Sequence, residues 1–145
     1  MTKRSRRKQE QQRQYYIGAA IALALVTFFA VINLSSQDTQ AASTLPLEIS
    51  VQEAFNYREN GAWILDVRTQ EEWDAGHIPD ATLIPLDELP NRLAEIPEGV
   101  DIVVVCRSGN RSAQGRDILL QAGFPAVTSM DGGVNEWAAL GLPLE

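Results

Sequence analysis

Four consecutive β-branched residues, Ile102-Val103-Val104-Val105, run without polar interruption straight into Cys106-Arg107-Ser108-Gly109-Asn110-Arg111-Ser112. A strand apolar at every position has no face left for water, so it belongs in the middle of a parallel sheet covered on both sides. Helices must supply that cover, and the chain offers them in alternation with further apolar runs of strand length. Leu47-Glu48-Ile49, Ala62 to Val67, Ala81 to Ile84 and Ala126 to Ser129 read as strands. Ser50-Val51-Gln52-Glu53 has the pattern of a reciprocal helix cap and predicts a helix to about Glu59, stopped by Asn60-Gly61. Thr69 to Ala75 reads as a short acidic helical turn, and Asp87 to Glu95 as a helix bounded by Pro85 and Pro97 and offset by Pro90. Ser112 to Gln121, stopped by Gly123, and Val134 to Leu140 complete the set.

Ligands of such sheets lie beyond the carboxyl ends of the strands, which is where Cys106 falls. A loop leading into a helix there can turn successive backbone N–H groups onto one sulfur, stabilising a thiolate and attracting anions. Arg107 and Arg111 would hold an anion's oxygens, with Arg111 also positioned to brace the loop. Gly109 suits a positive φ in the tight loop, or is an ordinary turn glycine. Ser108, Asn110 and Ser112 donate to a substrate or cap the following helix. The plain alternative for Cys106 is a buried, inert small hydrophobe. Because it is the only cysteine, an internal disulfide, a Cys-x-x-Cys redox pair and a zinc cluster are excluded. The chemistry calls for no metal and no cofactor.

A cysteine followed by four loop residues and an arginine, at the end of a strand, resembles the active-site loop of the rhodanese family of sulfurtransferases. Other stretches resemble that family in the same chain order: Trp63-Ile64-Leu65-Asp66-Val67-Arg68, Glu72-Trp73 followed by Gly76-His77-Ile78-Pro79-Asp80-Ala81, and Gly132-Gly133-Val134-Asn135-Glu136-Trp137. The resemblance covers roughly residues 45–145 and implies an α/β domain, a parallel β-sheet flanked by helices on both faces. It also implies transfer of a sulfane sulfur, from a small anion such as thiosulfate to cyanide or a thiol, through a Cys106 persulfide. Asp66 and Arg68 become candidates for a supporting polar network, with Asp66 turned toward the active loop. His77 then belongs to a signature that shapes the fold rather than to the chemistry, and the three tryptophans, Trp63, Trp73 and Trp137, to packing. Two rivals stand beside this reading. Cysteine phosphatases use a similar loop, but with five residues between Cys and Arg, and a non-catalytic rhodanese-fold module would bind partners or carry sulfur at a membrane.

Residues 1–14 carry six basic side chains, Lys3, Arg4, Arg6, Arg7, Lys8 and Arg13, against the single acid Glu10, and residues 15–34 carry no charge. Twenty residues at about 1.5 Å each make a helix of about 30 Å, the thickness of a bilayer's hydrocarbon layer. The expectation is one transmembrane helix over 15–34, with residues 35–44 as a linker rich in Ser, Gln, Thr and Ala. The basic end would stay cytoplasmic and the domain lie across the membrane. A signal segment cleaved after Ala41 or Ala42 is the alternative, giving a secreted or periplasmic domain. From Leu45 onward six arginines and no lysine face seventeen acids, a net charge of −11. Nucleic acid is therefore an unsuitable partner.

Overall fold

The computed structural model describes residues 44–145. The basic segment, the 15–34 stretch and all of the linker but Thr44 lie outside the described residues. Among the described residues no helix is long and apolar enough to cross a membrane.

Five strands form one parallel sheet: β1 (Glu48–Ile49), β2 (Trp63–Asp66), β3 (Thr82–Leu83), β4 (Ile102–Val105) and β5 (Val127–Met130), in the order β1-β5-β4-β2-β3. The Ile102–Val105 run is the central strand, paired with β2 from Trp63↔Ile102 to Asp66↔Val105 and with β5 from Ile102↔Val127 to Val104↔Ser129. All four of its residues are buried. Alternation along the strands then makes two cores. On one face Leu65, Val67, Ile102, Val104, Cys106 and Val127 pack with Leu119 and Leu120 of α3 (Asn110–Gln121). On the other, Ile64, Val103, Val105 and Met130 pack with α1 (Val51–Glu59) and α4 (Gly133–Ala139), whose Trp137 is fully buried.

The cap at Ser50 forms in both directions, with Glu53 N–H donating to Ser50 Oγ and Ser50 N–H to Glu53 Oε2. The same device recurs at Thr69, where α2 (Gln70–Asp74) begins. The expected helix over 87–95 is instead two 3-10 turns, Leu89–Asn91 and Leu93–Glu95. Pro90 removes an N–H and Pro97 closes the segment, so a regular helix has too few residues to nucleate. Leu89, fully buried, fixes the first turn to the core.

The described chain begins at the amino ends of the strands, where Thr44 N–H and Oγ1 both donate to the Pro125 carbonyl at 2.8 and 3.3 Å. Cys106 lies at the opposite, carboxyl end.

Candidate active site

Cys106 is the first residue past β4 and is 1% exposed. Its Sγ accepts the Gly109 N–H at 3.2 Å and lies 3.6 Å from Ser112 Oγ. Ser112 Oγ donates to the Gly109 carbonyl at 2.6 Å, and the Met130 carbonyl lies 3.3 Å away. Gly109 stands at the N-cap of α3 with φ 103°, and no side chain caps this helix. Where helices usually place a Ser or Asp oxygen, α3 thus offers its opening amides to sulfur. Burial pushes the thiol pKa up, but hydrogen bonding with the Ser112 hydroxyl and the amides of Ser108, Ser112 and Gly109 outweighs it, leaving the group below its ordinary value. Ser108 and Asn110 are exposed, and their side chains form no hydrogen bond among the described residues.

The inward turn of the amides is enforced from behind. Val134 N–H donates to the Cys106 carbonyl at 2.8 Å and Asn135 N–H to the Arg107 carbonyl at 3.2 Å. Across a trans peptide the carbonyl and the next N–H point in opposite directions, so drawing the Arg107 carbonyl toward α4 sends the Ser108 N–H toward the sulfur. This approach leaves no room for a Cβ on Gly133, which would overlap the Arg107 carbonyl and the Ser108 nitrogen.

The two loop arginines do different things. Arg111 is bound end-on by Glu72, with Nη1 to Oε2 and Nη2 to Oε1 both at 2.7 Å. Arg107 is exposed, and its side chain has no partner among the described residues. It is the one unpaired guanidinium among the described residues, since Arg58, Arg68, Arg92 and Arg116 all hold acids. Asp66 and Arg68 form a buried pair, Nε to Oδ2 at 2.9 Å, and the Asp66 carboxylate is taken up by Arg68 rather than by the active loop. Arg68 goes on to donate to the Glu72 and Gly76 carbonyls at 3.0 and 2.9 Å. A continuous chain of contacts therefore runs from β2 through α2 to the first turn of α3.

Residues 50–140 match the family described as the rhodanese-like domain. The chain belongs to this family. Among relatives of the rhodanese-like domain, a sulfurtransferase of Allochromatium vinosum is 43% identical over 81 residues, 56% of this chain and 76% of that protein. A chloroplastic protein of Arabidopsis thaliana, thiosulfate sulfurtransferase 16, is 34% identical over 113 residues, 70% of this chain and 94% of that protein. The crystal structure of a rhodanese-related protein from Thermoplasma volcanium superposes with a TM-score of 0.64 at 27% identity, covering 69% of this chain and 98% of that one.

Two residues of this rhodanese-like site stand in the family-like motifs, but the sequence alone does not show what they do. Glu72 is 39 positions from its partner Arg111, and the Thr69-x-x-Glu72 cap accounts for it locally. Gly133 lies in the closing motif with no sign that the active loop passes against it. Hydrogen bonding from Arg111 holds the Glu72 carboxyl down to about 2 against an ordinary 4.5. A carboxylate with a depressed folded-state pKa adds stability above its unfolded pKa and loses it as pH falls toward the folded one. The melting temperatures of wild type and Glu72→Gln should thus differ most near pH 7 and converge between about pH 4.5 and 2. A gap that stays constant across that window would exclude the ion pair as its source.

His77 forms no hydrogen bond or ion pair with the active loop among the described residues. Its ring stacks on Trp73 with centroids 3.6 Å apart, and its backbone exchanges hydrogen bonds with Glu145. His77→Ala should cost about 1–2 kcal/mol in urea unfolding while sulfur transfer by the folded fraction stays within about twofold of wild type.

Proposed function

We propose that this rhodanese-like domain is a sulfurtransferase that takes the outer sulfur of an anion such as thiosulfate onto Cys106 and passes it to cyanide or a thiol. One observation carries the reading: a cysteine at the carboxyl end of the central strand has its sulfur turned onto the Gly109 amide at a helix N-terminus, and the next residue, Arg107, carries the one guanidinium without a partner among the described residues. The Cys106 thiolate attacks the sulfane sulfur, the S–S bond of thiosulfate breaks, and sulfite leaves with the bonding pair. Cyanide then attacks the outer sulfur of the persulfide, the Sγ–S bond breaks, and thiocyanate departs as Sγ takes back the electron pair. Negative charge alternates between Sγ and the outer sulfur, so one array of N–H donors serves both steps and no general base is needed. The relatives named as sulfurtransferases support this assignment.

Arg107 then contacts the donor, while Arg111, held by Glu72, positions the loop. Removing a partly exposed charge-assisted contact is worth about 1 kcal/mol. Arg107→Ala should accordingly raise the KM for thiosulfate about fivefold with kcat little changed, whereas Arg111→Ala should lower kcat. The direct test is thiocyanate production from thiosulfate and cyanide by the purified full chain. A persulfide that forms without turnover would leave a sulfur-carrier module instead, and phosphatase activity without thiocyanate would favour the rival chemistry.

We further propose that residues 15–34 anchor the protein in a membrane, with the basic end cytoplasmic. The uncharged run supports this. Recovery of the intact mass from the membrane pellet after alkaline washing is the expected result; a mass matching cleavage after Ala41 or Ala42 would refute it.

A further inference from the structure

Beside the active loop, on the same carboxyl edge of the sheet, lies a cleft of about 380 Å³ bordered by the segments that follow β2 and β3 and by Arg111 of α3. Its volume falls in the range of small-molecule sites. Val67, Pro85 and Leu86 give it an apolar wall. Val67 of that wall and Cys106 belong to one buried cluster, against which Leu86 packs. Val67 N–H donates to the Val105 carbonyl at 3.0 Å, and Leu86 N–H to the Val67 carbonyl at 3.3 Å.

The cleft's charges are not what its two arginines suggest. Arg68 is paired with Asp66 and Arg111 with Glu72, so each guanidinium's positive charge at the cleft is already matched by an acid. Asp87, also lining the cleft, is exposed, and its carboxylate has no partner among the described residues. The unpaired charge in the cleft is thus negative, while the unpaired positive charge, Arg107, belongs to the loop itself.

We infer that this cleft is the acceptor subsite and that it selects a small thiol bearing a protonated amine, with its carbon chain on Leu86 and Pro85 and its ammonium at Asp87. The inference rests on the sulfurtransferase reading and names the acceptor class for the same site. In the step concerned the Cys106 persulfide anion first takes a proton from water, and the acceptor thiolate then attacks its outer sulfur. A new S–S bond joins acceptor and outer sulfur, the Sγ–S bond breaks, and Sγ leaves as thiolate. The product is the acceptor's persulfide, which keeps the proton. Donor and acceptor are then told apart by opposite charges at neighbouring places.

The test loads the full chain with sulfur from thiosulfate and follows its discharge by cysteamine, 2-mercaptoethanol and 3-mercaptopropionate, with rates compared per thiolate. Discharge should be fastest with cysteamine and slowest with 3-mercaptopropionate, the two differing about two- to tenfold as expected of a partly exposed ion pair. The ratio should shrink toward one in Asp87→Asn and at high salt. It should persist in Glu98→Gln, which removes an equal charge from an exposed position outside the cleft. Equal rates in wild type, a ratio retained in Asp87→Asn, or a ratio lost equally in Glu98→Gln would overturn the inference while leaving sulfur loading intact. A protein that takes up no sulfur from thiosulfate would overturn the sulfurtransferase reading, and the inference with it.

Discussion

Cys106→Ser is expected to form no thiocyanate from thiosulfate and cyanide, a loss of at least about 10³-fold, the scale seen when a covalent nucleophile is removed. The hydroxyl occupies nearly the same volume and meets the same Gly109 amide, but it ionises far above neutral pH and cannot carry a sulfane sulfur. Mass spectrometry after exposure to thiosulfate should show wild type heavier by one sulfur atom and the variant unchanged. Position 106 is buried, but the serine hydroxyl keeps the Gly109 amide as its partner, so the substitution should cost only about 1 kcal/mol and leave the domain folded. Alkylation of the wild-type thiol should also reach half its limiting rate below the ordinary cysteine pKa of about 8.5, as its amide partners require. Thiocyanate from the folded serine variant at more than a trace would remove Cys106 from the reaction.

Gly133→Ala is the second large effect, and it acts without touching any reacting atom. The residue sits at φ 62°, where an alanine costs about 1–2 kcal/mol by itself. Its Cβ would meet the carbonyl of Arg107 and the nitrogen of Ser108, backbone atoms that move only if the active loop moves. Destabilisation of about 3 kcal/mol or more is expected, and in any surviving folded fraction the thiol should titrate closer to its ordinary value, because the Ser108 amide has been displaced. Gly99→Ala is the control. It has φ 74° with nothing near the added Cβ, so it should show the conformational cost alone and no change in sulfur titration. Equal behaviour of the two variants would show that the approach of α4 to the loop has no bearing on the thiol.

These two positions also mark how far the chain could be read without coordinates. The strand-to-loop passage at 102–112 is contiguous, so a buried strand, a loop and a helix N-terminus follow from neighbouring residues alone, and the strand's place in the middle of a parallel sheet follows from its unbroken apolar run, whereas the order of the other strands does not. Element limits were displaced by a residue or two. The helix expected from Ser112 begins at Asn110, because Gly109 supplies the turn that a side-chain cap would otherwise mark. The segment between Pro85 and Pro97 misled because proline spacing marks where a helix must stop without showing that too little remains to form one. The Glu72 grip on Arg111 could not be seen, since a residue that caps its own helix carries no mark of a second partner far along the chain. Nor does a formula charge tell which arginine is free. Arg107 and Arg111 are both read as anion holders in the sequence, and that Arg111 is already paired with an acid emerges only once every acid has been assigned.

Thr44 enters beside Pro125, behind the sheet from the sulfur. A rhodanese-like domain fixed to a bead or fused to another protein through that position would be gripped by its heel, with the reactive rim turned outward to whatever solution or surface it meets.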